Sequence, residues 1–173
     1  MARRTNVCGY TIKDVTTELS RRRLLTAAVL AGCSRKASGF PGYAFVANYE
    51  GRSVTAVNLR RFAVTRHILL DASPAAVIAH PREASVYVLT PASGTIHEIE
   101  APALTLKRRT KAAQNALSMR LAGDGQSLWV LGREPRALIR VPLDTLRPAE
   151  RIHLPQEPGD FELDRRPEAA WRP

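Results

Sequence analysis

From residue 43 onward the chain alternates short apolar runs with turn-forming residues, and the alternation has a period. Phe45-Val46, Tyr87-Val88 and Trp129-Val130 follow one another at a spacing of 42 residues. Without a gap, the same offset aligns Val54 with Ile96 and Leu138, and Val57 with Ile99 and Val141. It also aligns Phe62 with Leu104 and Leu146, and Leu70 with Ala112 and Leu154. Val77 then pairs with Met119 and Phe161, and Ala79 with Leu121 and Leu163. One or two such columns arise by chance in an apolar chain. Seven in a single register mark an internal repeat.

Each unit reads as strands. Ser85-Val86-Tyr87-Val88-Leu89 and Ser127-Leu128-Trp129-Val130-Leu131 are β-branched or aromatic runs of strand length, predicted to be buried on both faces. Upstream of them stand turn residues, His80-Pro81-Arg82-Glu83-Ala84 and Ala122-Gly123-Asp124-Gly125-Gln126, with Gly125 free to take a positive φ. Thr95-Ile96-His97-Glu98-Ile99 and Ala137-Leu138-Ile139-Arg140-Val141 follow as third strands, and residues 63–70 and 104–112 as fourth strands. Only residues 110–121 hint at a helical pattern, and the repeat assigns them otherwise. Four short strands per unit of this length are the habit of propeller blades. The predicted class is all-β, with antiparallel β-propeller-type blades in an incomplete ring of about three 42-residue repeats.

The N-terminal part has a different pattern. Ser20-Arg21-Arg22-Arg23 precedes an apolar run over residues 24–32 that ends in small residues and Cys33. A positive cluster, an apolar stretch and a small-residue site, in that order, form an export signal. Nine residues at about 1.5 Å each span only half of a hydrocarbon core, so the run is too short to cross a membrane as a helix. Ser20-Arg21-Arg22-Arg23-Leu24-Leu25 resembles a twin-arginine signal, with Arg21, Arg22 and Arg23 as its export residues. Leu30-Ala31-Gly32-Cys33 resembles a lipobox. That resemblance implies a diacylglyceryl group on the Cys33 thiol and cleavage before it. The expected organisation is a signal peptide at 1–32, a lipidated tether at 33–42, propeller repeats at 43–164 and a disordered tail at 165–173.

The repeat also resembles the YVTN family of bacterial propellers. Phe45-Val46-Ala47-Asn48, Val54-Thr55-Ala56-Val57-Asn58 and Leu70-Asp71-Ala72-Ser73-Pro74 follow that family's blade wording, and Gly123-Asp124-Gly125 its turn. The similarity covers residues 43–164 with individually loose motifs. Rings of this kind close with about four to eight blades. Just under three repeats leave open edges, which invite association through unpaired backbone. The chain is therefore expected to be a truncated family member, a partner in a ring closed by further copies, or an open sheet stack.

Composition changes the picture little. A formal charge of +10 and a pI near 10.6 suggest nucleic acid at first sight. Residues 1–32 hold six of the 26 basic residues and two of the 16 acidic ones, so the rest carries 20 against 14. That balance, with its bases scattered apart from Arg60-Arg61 and Lys107-Arg108-Arg109, is a solvated surface, and no nucleic-acid partner is expected. Cys8 falls within the signal, so the mature chain has no cysteine pair for a disulfide or a zinc site.

No catalytic constellation emerges. His67, His80, His97 and His153 do not recur in register and are read as turn or strand-surface histidines. Glu98 and Glu100 are read as paired surface carboxylates. Asp124, Asp144, Asp160 and Asp164 lack calcium-loop spacing. No Gly-x-Ser-x-Gly elbow or phosphate loop occurs. No metal and no cofactor are expected, and no cofactor-binding residue is identified.

The expected protein is a lipid-anchored module on the outer side of a membrane, in the periplasm or at the cell surface. It serves binding or scaffolding and has a protein partner or self-association through its open edges. The family resemblance implies two alternatives, a subunit or fragment of a quinone-dependent dehydrogenase-like propeller and a lactonase-type hydrolase. For the anchor, Cys33→Ala is expected to abolish metabolic labelling with a fatty acid and to leave the precursor uncleaved. Equal label on both proteins would overturn the lipobox reading.

Overall fold

A computed structural model describes residues 40–164, which fold as β-structure with no helix. Cys33, Arg21, Arg22 and Arg23, the signal, most of the tether and the tail lie outside the described residues. The first sheet has three strands, β1 (Tyr43–Asn48), β2 (Ser53–Asn58) and β3 (Ala63–Leu69), in that order. The second has four, β4 (Ala76–Ala79), β5 (Ser85–Thr90), β6 (Thr95–Glu100) and β7 (Thr105–Lys111). The third repeats that plan with β8 (Asn115–Leu121), β9 (Ser127–Glu134), β10 (Ala137–Pro142) and β11 (Glu150–His153). Every neighbouring pair is antiparallel. The stretch with a hint of helical pattern becomes the end of β7 and the whole of β8.

The 42-residue period sets the pairing register. Phe45 faces Ala56, Tyr87 faces Glu98 and Trp129 faces Arg140. Val77 faces Val88 as Met119 faces Val130. A bulge falls at Ala56/Val57 in the first sheet and again at Glu98/Ile99 in the second. Turn hydrogen bonds recur too. Leu59, Ala101 and Leu143 donate their amides to the carbonyls of Gly42, Ala84 and Gln126 at 3.0, 2.9 and 2.9 Å.

Alternation along each strand sends neighbouring residues to opposite faces, and in the middle sheet both faces are covered. Val86, Val88 and Ile99 pack with Val54, Ala56 and Ile68 of the first sheet. Tyr87, Leu89 and Ile96 pack with Met119, Val130, Ile139 and Val141 of the third. β5 is buried along its whole length, which explains its unbroken apolar sequence.

One repeated position carries backbone strain. Phe62, Leu104 and Leu146 take φ of 51°, 54° and 51°, a left-handed conformation that costs a branched or bulky residue about 1–3 kcal/mol. Leu104 and Leu146 offset that cost by sinking into the two sheet-to-sheet contacts.

Gly94 makes the tightest approach. Its φ is +63°, and a Cβ there would lie 2.3 Å from the Ala113 carbonyl oxygen, a backbone atom that cannot swing aside. Gly94→Ala is expected to destabilise the protein by at least about 1–2 kcal/mol, the cost of the left-handed backbone, with the clash added. Gly159→Ala, where nothing lies within 4 Å, is expected to leave the urea midpoint unmoved. Equal midpoints for the two variants would contradict this packing.

Candidate functional site

A cleft of about 570 Å³ lies between the second and third sheets. Arg82, Glu98, Arg108, Asp124, Arg140 and Asp144 are among its lining residues. Strand pairing assembles its floor. β6 and β7 set Glu98 opposite Arg108, and Arg108 Nε donates to Glu98 Oε2 at 2.6 Å. Lys107 Nζ and the Ser85 hydroxyl both donate to Oε1 at 3.2 Å. The Glu98 side chain is 1% exposed. Burial alone would raise its pKa, but hydrogen bonds from Arg108 and Lys107 and their charges prevail and hold it below the ordinary value.

Arg108 also reaches the next sheet. Its remaining nitrogens donate to the carbonyls of Asp144 and Leu143 at 2.8 and 2.9 Å. One guanidinium thus joins a buried carboxylate to the neighbouring blade's turn, the planar fork geometry at which arginine excels. His80 Nε2 lies 2.8 Å from the Gly125 carbonyl, and Arg82 donates to the Asp124 carbonyl at 3.0 Å, across the same seam. Tyr87, beneath this cluster, has its pKa pushed up to about 12 by burial and then by the negative charges of Glu98 and Glu83.

A second cluster surrounds His97, on the strand position before Glu98. Its Nε2 lies 2.9 Å from Asp71 Oδ1 and 3.3 Å from the Thr90 hydroxyl. The Thr90 hydroxyl in turn lies 2.7 Å from that of Ser93. Burial lowers the His97 pKa more than Asp71 raises it, so the ring is neutral at pH 7 and donates Nε2–H to the carboxylate. The bare Nδ1 is buried with no partner among the described residues, which agrees with a nitrogen that carries no proton.

Ser93, His97 and Asp71 are not arranged as a catalytic triad. Asp71 occupies His97 Nε2, Nδ1 has no hydrogen-bond partner among the described residues, and the Ser93 hydroxyl bonds to Thr90 instead. His97 itself is 1% exposed.

Three sequence readings are corrected here. His97 is a core residue, not a strand-surface histidine. Glu98 is buried while Glu100 is exposed, so they are no surface pair. Arg108, from the run read as solvated bases, stands on β7 and links Glu98 of β6 to the turn of the third sheet. The other histidines lie nearer the surface. His67 and His153 are exposed and His80 is half-buried, with His67 Nδ1 2.8 Å from the Thr55 hydroxyl. Among the described residues no three His, Cys, Asp or Glu side chains gather as a metal site.

The signal that could have exposed the buried pair was in the repeat. Glu98 stands in a column with Ala56 and Arg140, facing the next sheet, and the basic run follows one hairpin later.

This architecture is an all-β fold of propeller type, an incomplete ring of three blades. It is similar to hydrazine synthase from Kuenenia stuttgartiensis, at 18% identity and a TM-score of 0.60, over 73% of this chain and 39% of that one. It is also similar to dihydro-heme d1 dehydrogenase NirN in complex with DHE, at 18% identity and a TM-score of 0.58, over 75% and 31%. AztD from Citrobacter koseri, at 16% and 0.57, matches over 68% and 34%. The chain therefore spans well under half of these structures, and at such identities the likeness is one of fold. No family model and no curated protein matches the sequence.

The two buried clusters make the fold acid-sensitive in a defined order. His97 has a folded pKa below its ordinary 6.5, so the unfolded chain binds the proton first, and stability present above about pH 6.5 falls as the pH drops below it. Glu98, held below its ordinary 4.5, adds a second loss of the same sign at lower pH. His97→Gln is expected to remove the upper leg of a urea-midpoint profile and keep the lower one. An unchanged profile would show that His97 does not titrate as its burial requires.

Proposed function

We propose that this chain is an exported, lipid-anchored propeller-type module that works by binding or scaffolding and not by catalysis. The observation that carries this reading is the use to which its buried ionisable groups are put. Glu98, Arg108, His97 and Asp71 spend their hydrogen bonds on joining strands and sheets, so none is left poised toward a reacting atom. The anchor rests on Leu30-Ala31-Gly32-Cys33, and the export route on Arg21, Arg22 and Arg23. The blade wording at 45–48 and 54–58 supports a place among YVTN-type propellers.

A second reading is a piece of a larger redox enzyme, favoured by the similarity in fold to dihydro-heme d1 dehydrogenase NirN and hydrazine synthase. A lactonase-type hydrolase is the third.

The test is a turnover panel on the purified full chain, with membrane fractionation of the expressing cells. The binding reading expects a membrane-associated protein that neither hydrolyses lactones nor passes electrons from amines to a quinone. Sustained turnover of either class, lost in Glu98→Gln or His97→Gln, would replace it with the corresponding enzyme.

A further inference from the structure

We infer that two copies of this chain close a six-bladed ring head to tail, the segment 160–163 of each supplying the missing inner strand to the first sheet of the other. The inference rests on three observations that do not depend on the binding role proposed above.

The first is the asymmetry of two structural columns. Val88 and Val130 are each 0% exposed, whereas Val46, at the same repeat position in β1, is 47% exposed. Leu104 and Leu146 are 5% and 2% exposed, and Phe62 is 70% exposed. All three residues of this last set hold the same left-handed backbone. In the second and third sheets that conformation aims a large side chain into the preceding sheet. In the first sheet the same device is built, with a larger residue, and meets solvent.

The opposite end of the stack shows the matching half. Ile68, which helps receive Leu104, is 6% exposed, while Ile152, its repeat equivalent on β11, is 53% exposed. Leu138 is likewise only half-buried where Ile96 is fully buried. The open face of the first sheet and the open face of the third are therefore the two halves of a contact that the chain already makes twice. This complementarity selects a second copy of the chain as the occupant, because the faces match each other in register.

The third observation is the inner strand. Among the described residues the first sheet lacks the strand that β4 and β8 provide in the others. Residues 160–163 carry Phe161 and Leu163 in the apolar columns of β4 and β8, yet they belong to no sheet. They lie against β8 as the inner strand of a following blade would. The Ser118 hydroxyl donates to Asp160 at 2.8 Å, and Arg120 pairs with Asp160 and Glu162 at 3.2 and 3.3 Å. The Arg120 guanidinium also stands 5.7 Å from the centre of the Phe161 ring. The chain's own residues 34–37 fit the same columns poorly, with Arg35 where the others have Val77, Met119 and Phe161.

The register follows from the other sheets. Val77 faces Val88 and Met119 faces Val130, so Phe161 of one copy is set opposite Val46 of the other, with Asp160 opposite Ala47. A free strand edge beside an unpaired strand is the usual ground for such augmentation. Head-to-tail contacts close into a ring when the rotation allows it. The three sheets of the described residues, taken from two copies, make six, within the range of closed propellers, whereas three copies would bring nine.

Light scattering on the detergent-solubilised full chain should give the mass of two protomers. Phe62→Asp should give one protomer with an unchanged circular dichroism spectrum, and Phe62→Leu should keep two. A wild-type protein that stays single at tens of micromolar, or grows without limit, would overturn the ring.

Cross-linking supplies a second readout, in the full chain with Cys8 and Cys33 replaced by Ser. Val46→Cys mixed with Phe161→Cys should form an intermolecular disulfide, and Val46→Cys mixed with Glu162→Cys should not. Linkage of Val46→Cys to itself, or equal linkage to both positions, would overturn the head-to-tail register.

Discussion

A β-strand shows its residues alternately to two sides, so β5, with Val86 and Val88 on one side and Tyr87 and Leu89 on the other, needs cover from both directions. No single sheet can provide that for itself. At about 25 cal/mol per Å² of apolar surface, leaving either face in water would forfeit several side chains' worth of stabilisation, comparable with the whole margin of a small domain. Each sheet is thus stable only as a neighbour. Stability then propagates along the stack as contacts between adjacent units, as in other repeat proteins.

The strain and the buried charges follow from that constraint. A left-handed Leu104 is tolerable because the side chain it redirects fills the gap between two twisted sheets, and Leu146 repeats the arrangement one unit later. Glu98 is tolerable in the seam because Arg108 and Lys107 meet its charge and Ser85 its remaining lone pairs. A buried ion pair of this kind adds little net stability over an apolar pair. Its partners do, however, fix the angle between sheets, since Arg108 must satisfy the carbonyls of Leu143 and Asp144 with the same planar group. Truncating either partner would leave an uncompensated charge in the seam, which is far costlier than never having had the pair.

The period made the architecture legible. Columns such as Val54, Ile96 and Leu138 are apolar because Val54 and Ile96 each face the next sheet, and the offset alone placed the strands and the repeated turns. The candidate site was not legible in the same way. His97 and Glu98 lie in a run that alternates poorly, and their partners come from elsewhere. Asp71 lies before β4, 26 residues from His97, and Arg108 on the far side of a hairpin. Polar residues read one at a time look like surface, because burial of a charge depends on a partner that sequence distance conceals. The positive φ at Phe62, Leu104 and Leu146 was hidden for a related reason. Bulky residues are the last expected in the left-handed region, and only the packing they gain makes it accessible.

In a fold built by repetition, equivalent positions do equivalent structural work, so the columns that change character locate what is particular to this chain. One column runs Ala56, Glu98, Arg140, and its middle member organises the cleft between the second and third sheets. Arg140 in turn lines that cleft and pairs with Glu150 at 3.0 Å on the outer strand, so successive blades carry opposite charges at one position. Another column runs Thr55, His97, Ile139, and only its middle member buries an ionisable ring. Both departures fall in the second sheet, among the described residues the one sheet with neighbours on each side. Polar groups can be held there in fixed geometry, because apolar contacts on both faces already secure the backbone that carries them. In the same places the first sheet carries Ala56 and the uncharged hydroxyl of Thr55, and the third carries Ile139 and the partly exposed Arg140. The chain thus concentrates its buried electrostatics where its packing is most complete, and keeps its unspent apolar surface at the two ends.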